Sequence, residues 1–173
     1  MLSFLKNNSP KKSENKFNNL RDKILININN QWILQDKVIS RAFFTLLDNL
    51  TTEQNTQLMT ENQIIIIPAS GEYSCLIHQP PHANVILLFP EIIKLLGNVD
   101  NDRGLSILAH EFGHIYHQHY KKKISPLDAQ IEADDFALQA GFGHGLVEVL
   151  LGYSDIDSQT RVSVLTSKIL SQS

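Results

Sequence analysis

The sequence predicts a single α+β domain in which helices flank a small sheet, and three observations predict it. Apolar residues recur at helical spacing before residue 62 and again after residue 91. Between these stretches lie short β-branched or apolar runs, cut apart by glycine and proline. A length of 173 residues, 42% of them apolar, suffices for one buried core and falls short of two.

The domain is expected over residues 17–173. Residues 1–16 are expected to be a disordered lead-in, because the stretch from Asn7 to Lys16 is polar and has no apolar period. Phe17, Leu20, Ile24 and Leu25 mark a first amphipathic helix. Val38, Ala42, Phe43, Leu46 and Leu47 mark a second, with Asp36 as its N-cap. Thr52, Glu53 and Leu58 suggest a short third helix that ends before Asn62.

The texture then changes. The runs at 64–67 and 73–78, with Gly71 as turn residue between them, read as two paired strands. Pro80, Pro81 and Asn84 precede a third run at 85–89, and Pro90 follows it, so this strand is expected at an exposed edge of the sheet. Helical periodicity returns at 92–96 and, after a polar pause, over 104–120 with Asp102 as cap. Ser125 and Pro126 form an N-cap and N1 pair for a helix running to about Ala140, where Gly141 and Gly143 stop it. A short apolar segment at 146–151 and a helix at 158–170 complete the order.

Charge and composition exclude several roles. With 15 basic and 18 acidic residues the net charge is -3, which lacks the positive field that nucleic-acid binding needs, so no nucleic acid is expected as partner. No run approaches a membrane span. Cys75 is the lone cysteine and cannot close an intramolecular disulfide, which fits a reducing cytoplasm.

The chemistry sits at residues 108–119, which read Leu-Ala-His-Glu-Phe-Gly-His-Ile-Tyr-His-Gln-His. On a helix, His110 and His114 share one face a turn apart, so both imidazoles can reach one zinc ion at about 2.0–2.1 Å. Glu111 lies beside them, placed to take a proton from a water that the ion activates and to return it to a leaving amine. Gly113 costs the helix about 1 kcal/mol relative to alanine, a hint that another backbone approaches there. His117 lies about 10 Å along the axis from His110, too far for one ion to hold His110, His114 and His117 together. His117 and His119 therefore read as a solvated helix end.

A catalytic zinc ion takes three protein ligands, and the following helix offers Gln130, Glu132, Asp134 and Asp135. Here the sequence resembles a known family. Gln-Ile-Glu-Ala-Asp-Asp-Phe-Ala at 130–137 resembles the Glu-x-Glu-Ala-Asp-x-x-Ala signature of gluzincin metallopeptidases: HtpX-type peptidases, minigluzincins and, more loosely, ImmA-like proteases. The resemblance covers roughly residues 84–166 and implies a zincin-like domain with an active-site helix and a following helix that completes the metal site. It also implies one zinc ion and a peptide or protein substrate. In the HtpX-type pattern the zinc-binding glutamate stands four residues before the aspartate, the place that Gln130 fills here, with Asp134 standing behind the ligands. A neutral amide is a weak zinc ligand. Glu132 is therefore taken as the third ligand, with Gln130, Asp134 and Asp135 kept as alternatives.

By the same resemblance the strand at 84–89 would align an extended substrate along its edge. The helix at 158–165 is similar to a closing helix that can assist the oxyanion. Arg161, His144, Tyr120 and Tyr153 have the right chemistry but are read as surface or packing residues. The function expected is zinc-dependent peptide-bond hydrolysis with His110, His114 and Glu132 on the metal and Glu111 as general base. The rival is a gluzincin-shaped binding or assembly module, of phage or mobile-element origin, that has lost a ligand. A further possibility, by analogy with minigluzincins, is a latent protease whose N-terminal helices cover the cleft. Oligomeric state and substrate are not legible in the sequence.

Overall fold

The computed structural model describes residues 19–70, 75–79 and 83–172. The expected lead-in at 1–16, Phe17, the turn at Gly71 and the Pro80–Pro81 break lie outside the described residues. The N-terminal part is helical: α1 (Leu20–Leu25), a 3-10 turn at Ile28–Asn30, α2 (Trp32–Gln35), α3 (Lys37–Asn49) and α4 (Thr52–Thr60). Three strands follow, β1 (Gln63–Pro68), β2 (Cys75–Gln79) and β3 (Ala83–Leu88). The C-terminal part is α5 (Pro90–Leu96), α6 (Asp102–Tyr116), a 3-10 turn at His119–Lys121, α7 (Pro126–Gln139), α8 (Gly143–Leu150) and α9 (Ile156–Gln172). The α+β class and the order of helices, sheet, helices are as the sequence predicts.

Local chemistry explains most boundaries. Asp36 caps α3 by accepting from the backbone N–H groups of Val38 and Ile39. The cap of α4 is Thr51, which forms a reciprocal capping box with Gln54. Ser125 caps α7 ahead of Pro126, and Gly141, at φ +87°, ends the α7 turn in a conformation open to glycine. Lys23 closes the C-terminal end of α4: its buried ammonium donates to the carbonyl oxygens of Leu58, Met59 and Glu61 at 2.9, 3.0 and 2.6 Å.

The sheet corrects one expectation. Its order is β1-β3-β2, with β1 parallel and β2 antiparallel to β3. The first two runs therefore do not pair with each other, and β3 is the central strand rather than an edge. The prolines bracket β3 without entering it, and Pro90 serves as the first residue of α5, where a missing N–H costs nothing. Asn84, Ile86 and Leu88 bury one face of β3 while Val85 and Leu87 on the other are half-buried, and the strand is hydrogen-bonded along both of its edges.

The outer edge of β1 is closed by side chains. The Asn30 amide donates to the Ile64 carbonyl at 2.9 Å and its oxygen accepts from the Ile66 N–H at 2.7 Å, while the Trp32 indole donates to the Ile66 carbonyl at 2.8 Å. The remaining edge, β2, lies beside α6. Leu20, Ile24, Ile33, Phe43, Leu46 and Leu58 from the N-terminal helices join Ile64, Ile86, Leu108 and Phe112 in one core. Those helices are thus built into the domain.

The decisive contact is between α6 and α7. A Cβ placed on Gly113 would lie 2.8 Å from the Ala133 carbonyl oxygen and 2.9 Å from both the Ala133 Cα and the Phe136 Cβ. The two helices touch backbone to backbone, and the glycine inside the His-Glu-x-x-His stretch makes that possible. Gly113→Ala should cost about 1–3 kcal/mol of stability, read as a lower urea midpoint; an unchanged midpoint would mean that the helices separate freely.

Candidate metal centre

The α6–α7 contact fixes what faces what. His110 and His114 project from one face of α6, and their Nε2 atoms approach to 3.1 Å with the rings nearly perpendicular. Two nitrogens on one tetrahedral zinc ion, at about 2.0–2.1 Å each, would stand about 3.3 Å apart. Glu111 is buried beside His110.

Each imidazole is oriented from behind. His110 Nδ1 lies 2.7 Å from Asp134 Oδ1. Asp134 in turn accepts a fork from Arg161, Nε to Oδ2 at 2.7 Å and Nη2 to Oδ1 at 2.6 Å. Burial alone would raise the Asp134 pKa, but the hydrogen bonds from Arg161 and His110 outweigh it and hold the group below its ordinary value. Asp134 is therefore a carboxylate, and the proton of that bond sits on His110 Nδ1.

His114 is held by a longer chain. Its Nδ1 lies 2.6 Å from His119 Nδ1, and His119 Nε2 lies 3.1 Å from Glu132 Oε2. The Lys122 ammonium, 2.7 Å from that same oxygen, is the main cause that lowers the Glu132 pKa. Burial lowers the pKa of His119, and burial, with help from His110 and His119, lowers that of His114 to about 3.

The proton positions then follow from the ends inward. Glu132 is ionised, so His119 donates from Nε2 and its Nδ1 is bare. His114 must donate from Nδ1 to that bare nitrogen, which leaves His114 Nε2 without a proton. His110 turns Nδ1 to Asp134, so its Nε2 is the nitrogen that faces His114. The two Nε2 atoms face each other at 3.1 Å, close enough to share a proton or a metal ion.

The two chains depend on a sharp turn. α6 ends at Tyr116, a turn before the expected end at 120, because Gln118 takes the left-handed conformation at φ 53°, ψ 43°. That conformation costs roughly 1–2 kcal/mol. Glu61 offsets it by accepting from the Gln118 amide and from the Tyr120 hydroxyl. Residues five apart on a continuous helix point about 140° apart, so without this turn His119 could not fold back onto His114.

His110 and Glu111 open onto a cavity of about 250 Å³, whose wall includes Ile107, Leu146, Val149, Tyr153 and Arg161. Burial raises the Glu111 pKa, only partly countered by His110 and Arg161. Among the described residues the cavity takes no wall residue from the N-terminal helices, so those helices do not cover it.

Among the residues singled out in the sequence, His110, Glu111 and His114 come together. Glu132 is brought to His119, His117 and Lys122, rather than to the paired Nε2 atoms. Asp134 stands behind His110, and Asp135 is paired with Lys168. Gln130 lies one turn before Asp134 on α7, and the antiparallel register set by His110 with Asp134 and Gly113 with Ala133 places it opposite His114. Its side chain makes no hydrogen bond among the described residues. His119 and Arg161, read as a solvated end and a surface residue, are both structural members of the site. Tyr153 also lines the cavity. Nothing local in the sequence marks His119, since its place depends on the turn at Gln118.

No family model, no curated protein and no solved structure matches the chain. No helix among the described residues is long and apolar enough to cross a membrane. His117, His119 and Glu132 form a group whose ligand atoms all lie within 4.8 Å of one another, a set able to hold a metal ion.

Asp134→Asn removes the charge that holds His110 while keeping its shape. Zinc affinity should fall about 10–100-fold, measured by competition with a chelator on protein whose circular dichroism shows it folded. An unchanged affinity would detach Asp134 from metal binding.

Proposed function

We propose that the chain is a zinc-dependent metallopeptidase with a zincin-like fold, of the gluzincin kind that residues 108–114 and 130–137 resemble. The observation that carries this reading is the pair of Nε2 atoms, 3.1 Å apart, beside a buried glutamic acid at the wall of a cleft. Bound there, zinc would polarise a peptide carbonyl and acidify a water molecule.

The protein's own side chains supply the rest. Glu111, with its pKa raised by burial, accepts a proton from the attacking water and delivers it to the departing amine nitrogen. Asp134 and Arg161 orient His110, and His119 with Glu132 orients His114. The apolar wall formed by Ile107, Leu146 and Val149 accepts an apolar substrate side chain. The alignment expected of residues 84–89 passes to β2, the outer strand on the α6 side of the sheet among the described residues.

Gln130 is the side chain of α7 left to complete the shell, since Glu132, Asp134 and Asp135 are engaged elsewhere. An amide oxygen brings no charge, so binding is weaker than with a carboxylate. This supports Gln130→Glu as a gain-of-function variant, expected to raise zinc affinity about tenfold or more. If instead Glu132 swings in as third ligand, Gln130→Glu leaves affinity unchanged and Glu132→Ala abolishes it.

The same glutamine favours the second reading, a binding module that has lost catalysis. Cleavage of a peptide library by the wild type, with turnover lowered about 10²–10⁴-fold in Glu111→Gln at equal zinc content, supports the enzyme. Equal inactivity of both zinc-loaded proteins favours the module.

A further inference from the structure

Beyond the paired histidines the turn after α6 builds a second cluster, and we infer that His117, His119 and Glu132 form an outer site for a divalent transition-metal ion. The inference rests on these three residues alone and stands whether or not the inner pair binds zinc. Glu132 Oε2 is its centre: His119 Nε2 lies 3.1 Å from it and His117 Nδ1 3.6 Å. Ligand atoms on one tetrahedral ion stand about 3.3 Å apart, a value those two distances bracket. The imidazole planes are stacked, 8° from parallel with centroids 5.4 Å apart. All three atoms lie within 4.8 Å of one another, so a modest rotation of His117 toward His119 completes the set.

Two imidazoles and one carboxylate suit zinc, cobalt or nickel and do not suit magnesium or calcium, which take oxygen ligands. A second observation points the same way. The carboxylate oxygen at the centre already holds a cation, the Lys122 ammonium at 2.7 Å. Lys122 and Glu132 are both partly exposed, so the ammonium can yield its place to a doubly charged ion without leaving a buried charge behind. The ion's open positions face solvent, as the exposure of His117 and Glu132 requires.

Cobalt(II) titration of the full chain, followed by visible absorption and by calorimetry with zinc, tests the outer site. His110→Ala cripples the inner pair and should still bind one cobalt ion. Adding His117→Ala to it should weaken that binding about tenfold or more. Adding Lys122→Met to His110→Ala should instead tighten it about threefold, the effect of removing one exposed competing charge. A folded His110→Ala that takes up no cobalt, or a His117→Ala change that leaves its binding untouched, overturns the outer site. Identical binding by wild type and His110→Ala would leave the outer site standing and overturn the inner one.

Discussion

The backbone contact between α6 and α7 is the constraint on which the rest depends. Gly113 and Ala133 let two helices approach more closely than any larger pair of side chains would allow. At that separation Asp134 reaches His110 directly, and α9 can lay Arg161 across the same carboxylate. A wider crossing would separate Asp134 from His110 by more than a hydrogen bond. The glycine costs α6 some intrinsic stability, and the close packing it permits outweighs that cost.

Around this contact the site is held by charge as much as by packing. Asp134 is buried and would be a liability alone, but the planar fork of Arg161 matches both of its oxygens. On the other side His119 transmits the charge of Glu132 to His114 across the turn at Gln118. Two carboxylates at opposite ends thus orient three imidazole rings. The strained backbone of one residue is what lets the second carboxylate take part.

Much of this order is legible in the sequence, and the part that is not has a common cause. Helix caps at Asp36 and Ser125, the stop at Gly141 and the periodicity of α3 are local properties, and local chemistry decides them. The meaning of Gly113 is legible too, because a helix keeps a glycine in its interior, against its propensity, where another backbone must come close. The centrality of β3 is not, because a flanking proline looks the same in sequence whether it ends an edge strand or begins the next helix. His119 and Arg161 escape a sequence reading because each reaches the site through a long-range fold-back: a positive φ at Gln118 for one, the return of α9 for the other. Glu132 and His119 are both visible as isolated residues, but only the turn shows that they act on one another.

An amide at position 130, where the gluzincin signature has a carboxylate, would change what the proposed inner site does with a metal. Asp134 is neutralised by Arg161, and the two imidazoles and the Gln130 amide carry no charge. Glu111 is then the one carboxyl near the paired nitrogens whose charge is not already cancelled, and its pKa is raised by burial. A doubly charged ion in this shell would keep more of its charge, bind less tightly, and polarise water more strongly than one held by a third, anionic ligand. It would also draw the Glu111 pKa back down, since a nearby cation favours the ionised form. In the proposed site the glutamine would shift the balance from tight retention toward a stronger Lewis acid, with affinity resting on how well Asp134 and His119 hold the two rings.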